Sequence, residues 1–380
     1  MKVLFSIALF LLTHAAFSQS SGTITHDGIE RTYTYYIPSN TPDIPLPLVF
    51  VLHGTTQSGE AIMDISEFNA FAQDNGFIAV YPDGIDGFWN ADLGAVGSAA
   101  DDLGFIEALV DKFDTDYNVD LQRLYSCGFS AGGYLSYILA CQSQYCFAAV
   151  ASVAGTMTQN TVDGCNPIHA TAVMQIHGTS DFVVSYNGSA FAGLGVDQII
   201  EYWQNENGCD TTPIIQDIPN TNILDLSTVQ RFTWLPCEGS SELVLFRIEG
   251  GGHQWPGTNA TLGGLGPINR DINATEEIWA FFSQHSCPAE LVSVNEESTP
   301  PISIYPNPTS DFIFFNQLPN DHSVLLSAFD QTGKLIENRL LQSNYVDVSD
   351  WNPGLYHLRV SDAKNTEKIF VQQSILIFDL

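Results

Sequence analysis

The chain has 380 residues, of which 12 are Lys or Arg and 43 are Asp or Glu, giving a formal charge of −31. That charge repels nucleic acid and anionic lipid, so neither is an expected partner, and the length allows more than one domain. No stretch reaches the roughly 20 apolar residues that a membrane-spanning helix needs, so no transmembrane segment is expected.

In chain order, Met1-Lys2 is followed by an apolar run from Val3 to Leu12, and Ala16-Phe17-Ser18 offers small residues where a signal peptidase reads. Residues 1–18 therefore read as a secretory signal cut before Gln19. Strand-like runs follow at Arg31 to Ile37 and Leu48 to Leu52, then a helix-like stretch from Met63 to Asp74, a strand at Phe77 to Tyr81 and a helix from Asp102 to Tyr117. The run Arg123 to Cys127 leads into Gly128-Phe129-Ser130-Ala131-Gly132, which precedes the apolar, helix-like Tyr134 to Ala140. Beyond it lie strands at Phe147 to Val153 and Ala172 to His177, a helix from Val196 to Asn207, paired strands at Val229 to Leu235 and Leu243 to Glu249, and a closing helix from Ala274 to Gln284. Strands alternating with helices predict an α/β fold, a mainly parallel sheet with helices on both faces and its active groups in the loops at the strands' C-terminal ends.

The stretch from Pro288 to Pro301 (PAELVSVNEESTPP) reads as a linker. After it the style changes to short strand-like runs at Ile302 to Tyr305, Phe312 to Phe315, Val324 to Phe329, Lys334 to Leu341, Leu355 to Val360 and Ile369 to Gln372. Residues 302–380 thus read as a small all-β, sandwich-like domain behind an α/β domain spanning 19–287.

Gly128 to Gly132 has the form G-x-S-x-G between a strand and a helix. A serine on that sharp turn is lifted above the sheet, with glycines on either side because neighbouring Cβ atoms would collide. Such a serine needs a base to take its proton and an acid to fix the base's tautomer, in the chain order Ser, Asp or Glu, His. His253, in the glycine-rich loop after Leu243 to Glu249, is the candidate base, and Asp181, just after the strand ending at His177, is the candidate acid. His285 reads as a surface residue ending the last helix. The backbone N–H groups of Ala131 and Thr55 are the candidate oxyanion donors, Thr55 in the loop Leu52-His53-Gly54-Thr55-Thr56-Gln57. His53 and His177 are read as holding their loops by hydrogen bonds. Trp89 and Trp255 are candidate substrate-binding residues, since flat aromatic faces suit a sugar or feruloyl ring, with packing beneath the loops the competing reading.

Seven cysteines in an exported chain imply disulfides and at least one free thiol. Cys127, at the end of the strand leading to the serine, is the candidate free one. Cys209 with Cys237 is the favoured pair, and the pairing of the others stays open. No cofactor is expected: no cysteine pair has zinc-site spacing, and the acid-rich loop Asp83, Asp86, Asn90, Asp92 departs from the EF-hand pattern.

The blocks PLVFVLHGTTQSG, YPDG with Phe88-Trp89-Asn90, DDLGF, DYNVDLQRLYSCGFSAGG, FAAVASVAGT, IHGTSDFVV, GGGHQWPG and DINATEEIWAFF resemble, in order, the secreted α/β-hydrolases grouped as polyhydroxybutyrate depolymerases and feruloyl or acetylxylan esterases. The resemblance runs from about Gly22 to His285. It implies an α/β-hydrolase fold and ester hydrolysis by Ser130, Asp181 and His253 with Thr55 and Ala131 as donors; Thr55 stands where many members have cysteine. It implies no cofactor, and as substrates feruloyl or acetyl esters of plant polysaccharides or polyester chains. The segments ISIYPNPTSDFIFF, AFDQTGKLIE, VDVSDWNPGLYHLRV and EKIFVQ resemble the C-terminal sorting domain of the type IX secretion system. That resemblance implies the secretion machinery as a partner and an extracellular or cell-surface destination. One departure from it is Gln373 to Leu380, which is expected to extend beyond the last strand as an apolar tail.

Overall fold

A computed structural model of the chain describes residues 19–39, 44–94, 97–190, 192–260, 263–289, 304–315, 324–341, 343–363 and 369–378. The predicted signal 1–18 and residues 290–301 of the predicted linker lie outside the described residues. Two compact units divide the chain, one ending at Val292 and one beginning at Ser293.

The first unit is built on β3 (Leu46–Leu52), whose seven residues are all buried, as a strand covered on both faces must be. Around it run β1 (Gln19–His26), β2 (Ile29–Tyr36), β4 (Ile78–Pro82), β5 (Val119–Phe129), β6 (Phe147–Val153), β7 (Ala172–Gly178), β8 (Ile214–Ile218), β9 (Thr228–Trp234) and β10 (Leu243–Glu249), in the order β1-β2-β4-β3-β5-β6-β7-β10-β9-β8. The six strands from β4 to β10 are mutually parallel, and antiparallel pairs finish both edges. Alternate residues of β3 divide two cores. Leu48, Phe50 and Leu52 face α3 (Asp102–Asp116), α4 (Ala131–Gln142) and α6 (Val196–Glu206). Val49 and Val51 face α1 (Gly59–Ser66), α2 (Phe68–Asn75) and α7 (Ala274–Phe282). A short α5 (Gln159–Asp163) follows β6. This is the α/β-hydrolase arrangement.

The helix predicted from Met63 to Asp74 is two helices. Glu67 sits in the left-handed region at φ 55° and serves as C-cap of α1 and N-cap of α2. Its neighbours Ile62, Ile65, Phe68 and Ala72 keep one apolar stripe across the break, which is why the sequence reads as continuous. Strands β1 and β8 were not foreseen: β1 is almost wholly polar, and the isoleucines of β8 neither alternate nor form a long run; both exist as edge partners of β2 and β9.

Three disulfides hold the unit: Cys141–Cys165, Cys146–Cys287 and the expected Cys209–Cys237. Cys127 is free and buried in β5. Arg31 and Asp102 form a buried ion pair at 2.5 Å, with Asp102 also accepting the Asn90 N–H.

The second unit packs a sheet of β11 (Ile304–Tyr305), β12 (Phe312–Phe315) and β15 (Tyr345–Asp347) against one of β13 (Val324–Asp330), β14 (Leu335–Leu340), β16 (Gly354–Asp362) and β17 (Ile369–Ile377). Ile313, Phe315 and Val346 from the first sheet share one core with Leu326, Leu358, Ile375 and Ile377 from the second. The predicted tail is corrected here. Residues 373–377 continue β17, paired along β16, with Ile375 and Ile377 buried and Ser374 and Leu376 exposed. The alternation of a half-buried strand was hidden because Ile375, Leu376 and Ile377 are all apolar.

Candidate active site

Between β5 and α4 the chain turns through Ser130 alone, at φ 53° and ψ −120°. Such a conformation is costly for a side-chain-bearing residue and persists only where the surroundings impose it. They do so through close approach: a Cβ on Gly128 would lie 2.2 Å from the Gly132 carbonyl carbon, and one on Gly132 would lie 2.2 Å from the Leu52 oxygen. The Ser130 N–H donates to Val153 O at 2.9 Å, pinning the turn to the neighbouring strand. Helix α4 is buried from Ala131 to Cys141, so Ser130 rides on the most enclosed helix of the sheet.

Asp181 follows β7 through a turn whose Ser180 N–H donates to Gly251 O at 2.9 Å. A Cβ on Gly178 would stand 2.2 Å from that same oxygen, so the acid and histidine loops meet only because residue 178 is glycine. One carboxylate oxygen of Asp181, Oδ1, accepts the N–H groups of Val183 and Val184, both at 2.8 Å. The other, Oδ2, is 2.7 Å from His253 Nδ1. An ionised carboxylate only accepts, so Nδ1 carries the proton and Nε2 presents its lone pair. The His253 ring lies 4.8 Å from that of Phe129, the residue before Ser130, and both Asp181 and His253 are buried.

On the other side of Ser130, the position of a Cβ on Gly54 is 3.4 Å from Ser130 Cβ. The loop there is tied by Gly54 N–H to Gln57 Oε1 at 2.9 Å and by Thr56 N–H to Gly87 O at 2.8 Å. Thr55 sits between these ties, directly after Gly54, and Ala131 is the first residue of α4. Gln57 was not singled out in the sequence; a polar residue three positions after a turn glycine was its only signal.

His53 Nε2 accepts the Gly84 N–H at 2.9 Å, so Nδ1 donates to Gly54 O at 2.7 Å. Burial pushes its pKa down, keeping the ring neutral. The histidine holds the loop, as its position suggested.

Trp89 and Trp255 require correction as substrate-binding residues, since each is 1% exposed. Trp89 donates its indole N–H to His53 O at 2.8 Å and stacks near His53 at 4.6 Å. Trp255 donates to Thr275 Oγ1 at 3.1 Å and meets Phe68 edge-on. An indole whose single donor is satisfied inside gains more from packing than from facing water. Two exposed apolar residues beside the Asp181–His253 pair are Phe182 (66%) and Val183 (46%), directly after Asp181. They were missed because Phe182-Val183-Val184 reads as a buried run; Asp181 captures the next backbone N–H groups and turns the first two side chains outward. His285 is half-buried rather than surface-exposed, packed 4.7 Å from Phe281. Asp83, in the acid-rich loop, accepts from Gly59 N–H and Thr32 Oγ1, each at 2.7 Å.

Residues 31–192 match the family described as esterase PHB depolymerase, and residues 303–372 match the secretion system C-terminal sorting domain. The first match includes Ser130 and Asp181 and ends before His253, which geometry alone brings to the pair. Feruloyl esterase B of Piromyces equi is 31% identical over 35% of this chain and 25% of that protein. A bifunctional acetylxylan esterase/xylanase of Neocallimastix patriciarum is 26% identical over 68% of this chain and 34% of that protein. The chain thus spans a quarter to a third of the length of these relatives. A solved acetyl xylan esterase from Aspergillus awamori superposes with TM-score 0.48 at 16% identity, covering 70% of this chain and 99% of that one. Residues 31–192 are thus similar to the esterase PHB depolymerase family, and residues 303–372 match a secretion system C-terminal sorting domain, which marks the chain for the cell surface or the medium.

Proposed function

We propose that the protein is an exported serine hydrolase that cleaves carboxylic esters through an acyl-enzyme. The observation that carries this reading is the 2.7 Å bond from His253 Nδ1 to Asp181 beside the Ser130 turn, which leaves Nε2 bare to receive a proton. His253 takes the Ser130 proton as Oγ attacks the ester carbonyl. The oxyanion rests on the N–H groups of Thr55 and Ala131, aided by the positive end of α4. The alcohol departs with the proton from His253, which next activates water against the acyl-enzyme. Asp181 stays ionised and stabilises the imidazolium. Each oxyanion donor contributes about 3 kcal/mol to the barrier lowering.

The substrates in this reading are feruloyl or acetyl esters of plant polysaccharides, or polyhydroxyalkanoate-type polyesters. The family matches support this range, and the exposed Phe182 and Val183 favour an uncharged, partly apolar ester. The secretion machinery is the proposed protein partner, through residues 302–380. Initial rates of the full chain and of Ser130→Ala on methyl ferulate, acetylated xylan and a 3-hydroxybutyrate oligomer test the reading. Ser130-dependent turnover of one of them supports it, and absence of turnover on all three with folded protein contradicts it.

A further inference from the structure

We propose that His177 is a positioning residue of this site, held in one tautomer by Gln175 so that it fixes Asp181 against His253 and ties the acid to the helix carrying Ser130. The inference rests on the triad reading above and adds a residue that makes no contact with substrate in it.

One group in the network has an unambiguous role. The Gly155 carbonyl can only accept, and it lies 2.9 Å from Gln175 Nε2. That fixes the side-chain amide, and Gln175 Oε1 accordingly accepts the Tyr137 hydroxyl at 2.6 Å. The same Nε2 is 2.9 Å from His177 Nδ1, so its second N–H donates there and Nδ1 must be bare. The His177 proton therefore sits on Nε2, which donates to Val184 O at 2.9 Å and faces Asp181 Oδ2 at 3.5 Å. Oδ2 is the oxygen that His253 holds, and Val184 N–H holds the other one. The chain of bonds thus clamps residues 181–184 at both the carboxylate and the peptide.

Its far end reaches the nucleophile. Tyr137 is two turns beyond Ser130 on α4, and Gly155 packs against the Ser130 backbone closely enough that a Cβ there would lie 2.5 Å from the Ser130 carbonyl oxygen. Tyr137, Gln175 and His177 are fully buried, where an unpaired polar group is costly, so the network has one low-energy arrangement. The charged and titratable groups facing His177 are Asp181 and His253 on the triad side, Tyr186 edge-on at 5.9 Å with Arg247 over that ring, and Tyr137 through Gln175. Burial holds the His177 ring neutral, in keeping with a donor that must not become a cation.

The test uses the full chain with p-nitrophenyl acetate and compares His177→Phe, His177→Gln and Gln175→Met. His177→Phe removes the donor and is expected to lower kcat about 100-fold, the scale of a misplacement near 1 Å, with KM little changed. Without the polar N–H of His177 held 3.5 Å from its Oδ2, Asp181 is more negative toward His253, so the imidazolium gains stability and the acid limb of the kcat/KM profile moves to higher pH. His177→Gln keeps a donor near the Nε2 position and is expected to recover most of both effects. Gln175→Met leaves His177 in place without a fixed tautomer and is expected to lose kcat in the same direction, which covers the case in which His177→Phe does not fold. Folded His177→Phe with wild-type kcat and acid limb overturns the proposal, as does a glutamine variant no better than the phenylalanine one. The downfield His253 Nδ1–H proton resonance is read without turnover: it is expected to move in His177→Phe and return in His177→Gln. An unchanged resonance overturns the positioning role, whereas a normal response of that resonance in a protein with no Ser130-dependent turnover counts against the ester-hydrolase reading alone.

Discussion

Replacing Asp181 by Asn keeps the shape of the acid and reverses one bond. The amide has one acceptor oxygen, and the two backbone N–H groups of Val183 and Val184, both 2.8 Å from Oδ1, claim it. The amide NH₂ then occupies the Oδ2 position, 2.7 Å from His253 Nδ1, and Nδ1 must accept instead of donate. The imidazole proton moves to Nε2, where it can no longer receive one from Ser130. The same tautomer error in a Ser-His-Asp enzyme costs about 10⁴-fold in kcat, or about 5.5 kcal/mol at ~1.36 kcal/mol per tenfold. Folding should be little changed, because the amide side chain keeps the two backbone bonds. The assay is kcat on p-nitrophenyl acetate for Asp181→Asn and the parent chain, with thermal melting of each. A folded variant within tenfold of the parent would refute the assignment of Asp181.

Other perturbations test the frame around the site. Gly132→Ala places a Cβ 2.2 Å from Leu52 O and 2.8 Å from His53 O, both backbone atoms that cannot swing away, so melting temperature and kcat should fall together; an unchanged melting curve would contradict the close approach. Removing Cys146–Cys287 as a double Cys→Ser variant opens a sequence separation of 141 and should cost about 2–5 kcal/mol in denaturant unfolding. Arg31→Leu strands Asp102 as an unpaired buried charge and should cost about 3–5 kcal/mol. His53, His169 and His177 have pKa values pushed below the ordinary 6.5 by burial, so the unfolded chain binds protons first as pH falls. Their stability contribution is complete above about pH 6.5 and is lost below it, at up to about 1.4 kcal/mol per pH unit for each ring. A melting temperature that stays flat from pH 7 to pH 5 would contradict this.

The parallel sheet was legible because its strands are continuous apolar runs, and the Ser130 turn because glycine is demanded there by contact. That Asp181 and His253 meet could be anticipated from the sequence by their place after strands β7 and β10. The tryptophans could not be placed, since a large aromatic reads alike whether it lines a cleft or props a loop, and only the partners of its N–H decide. Phe182 and Val183 escaped for the opposite reason: a buried-looking triplet is turned outward by hydrogen bonds to the Asp181 side chain. Gln175 and His177 lie in a buried strand where period and hydropathy say nothing about tautomers.

The most direct measurement is acid-quenched mass spectrometry of the full chain during turnover of p-nitrophenyl acetate, with peptide mapping of the acyl group. An acetyl adduct on Ser130 that is absent, together with turnover, from Ser130→Ala is the predicted result. Turnover that survives in Ser130→Ala, or an adduct mapped to another residue, would contradict the account.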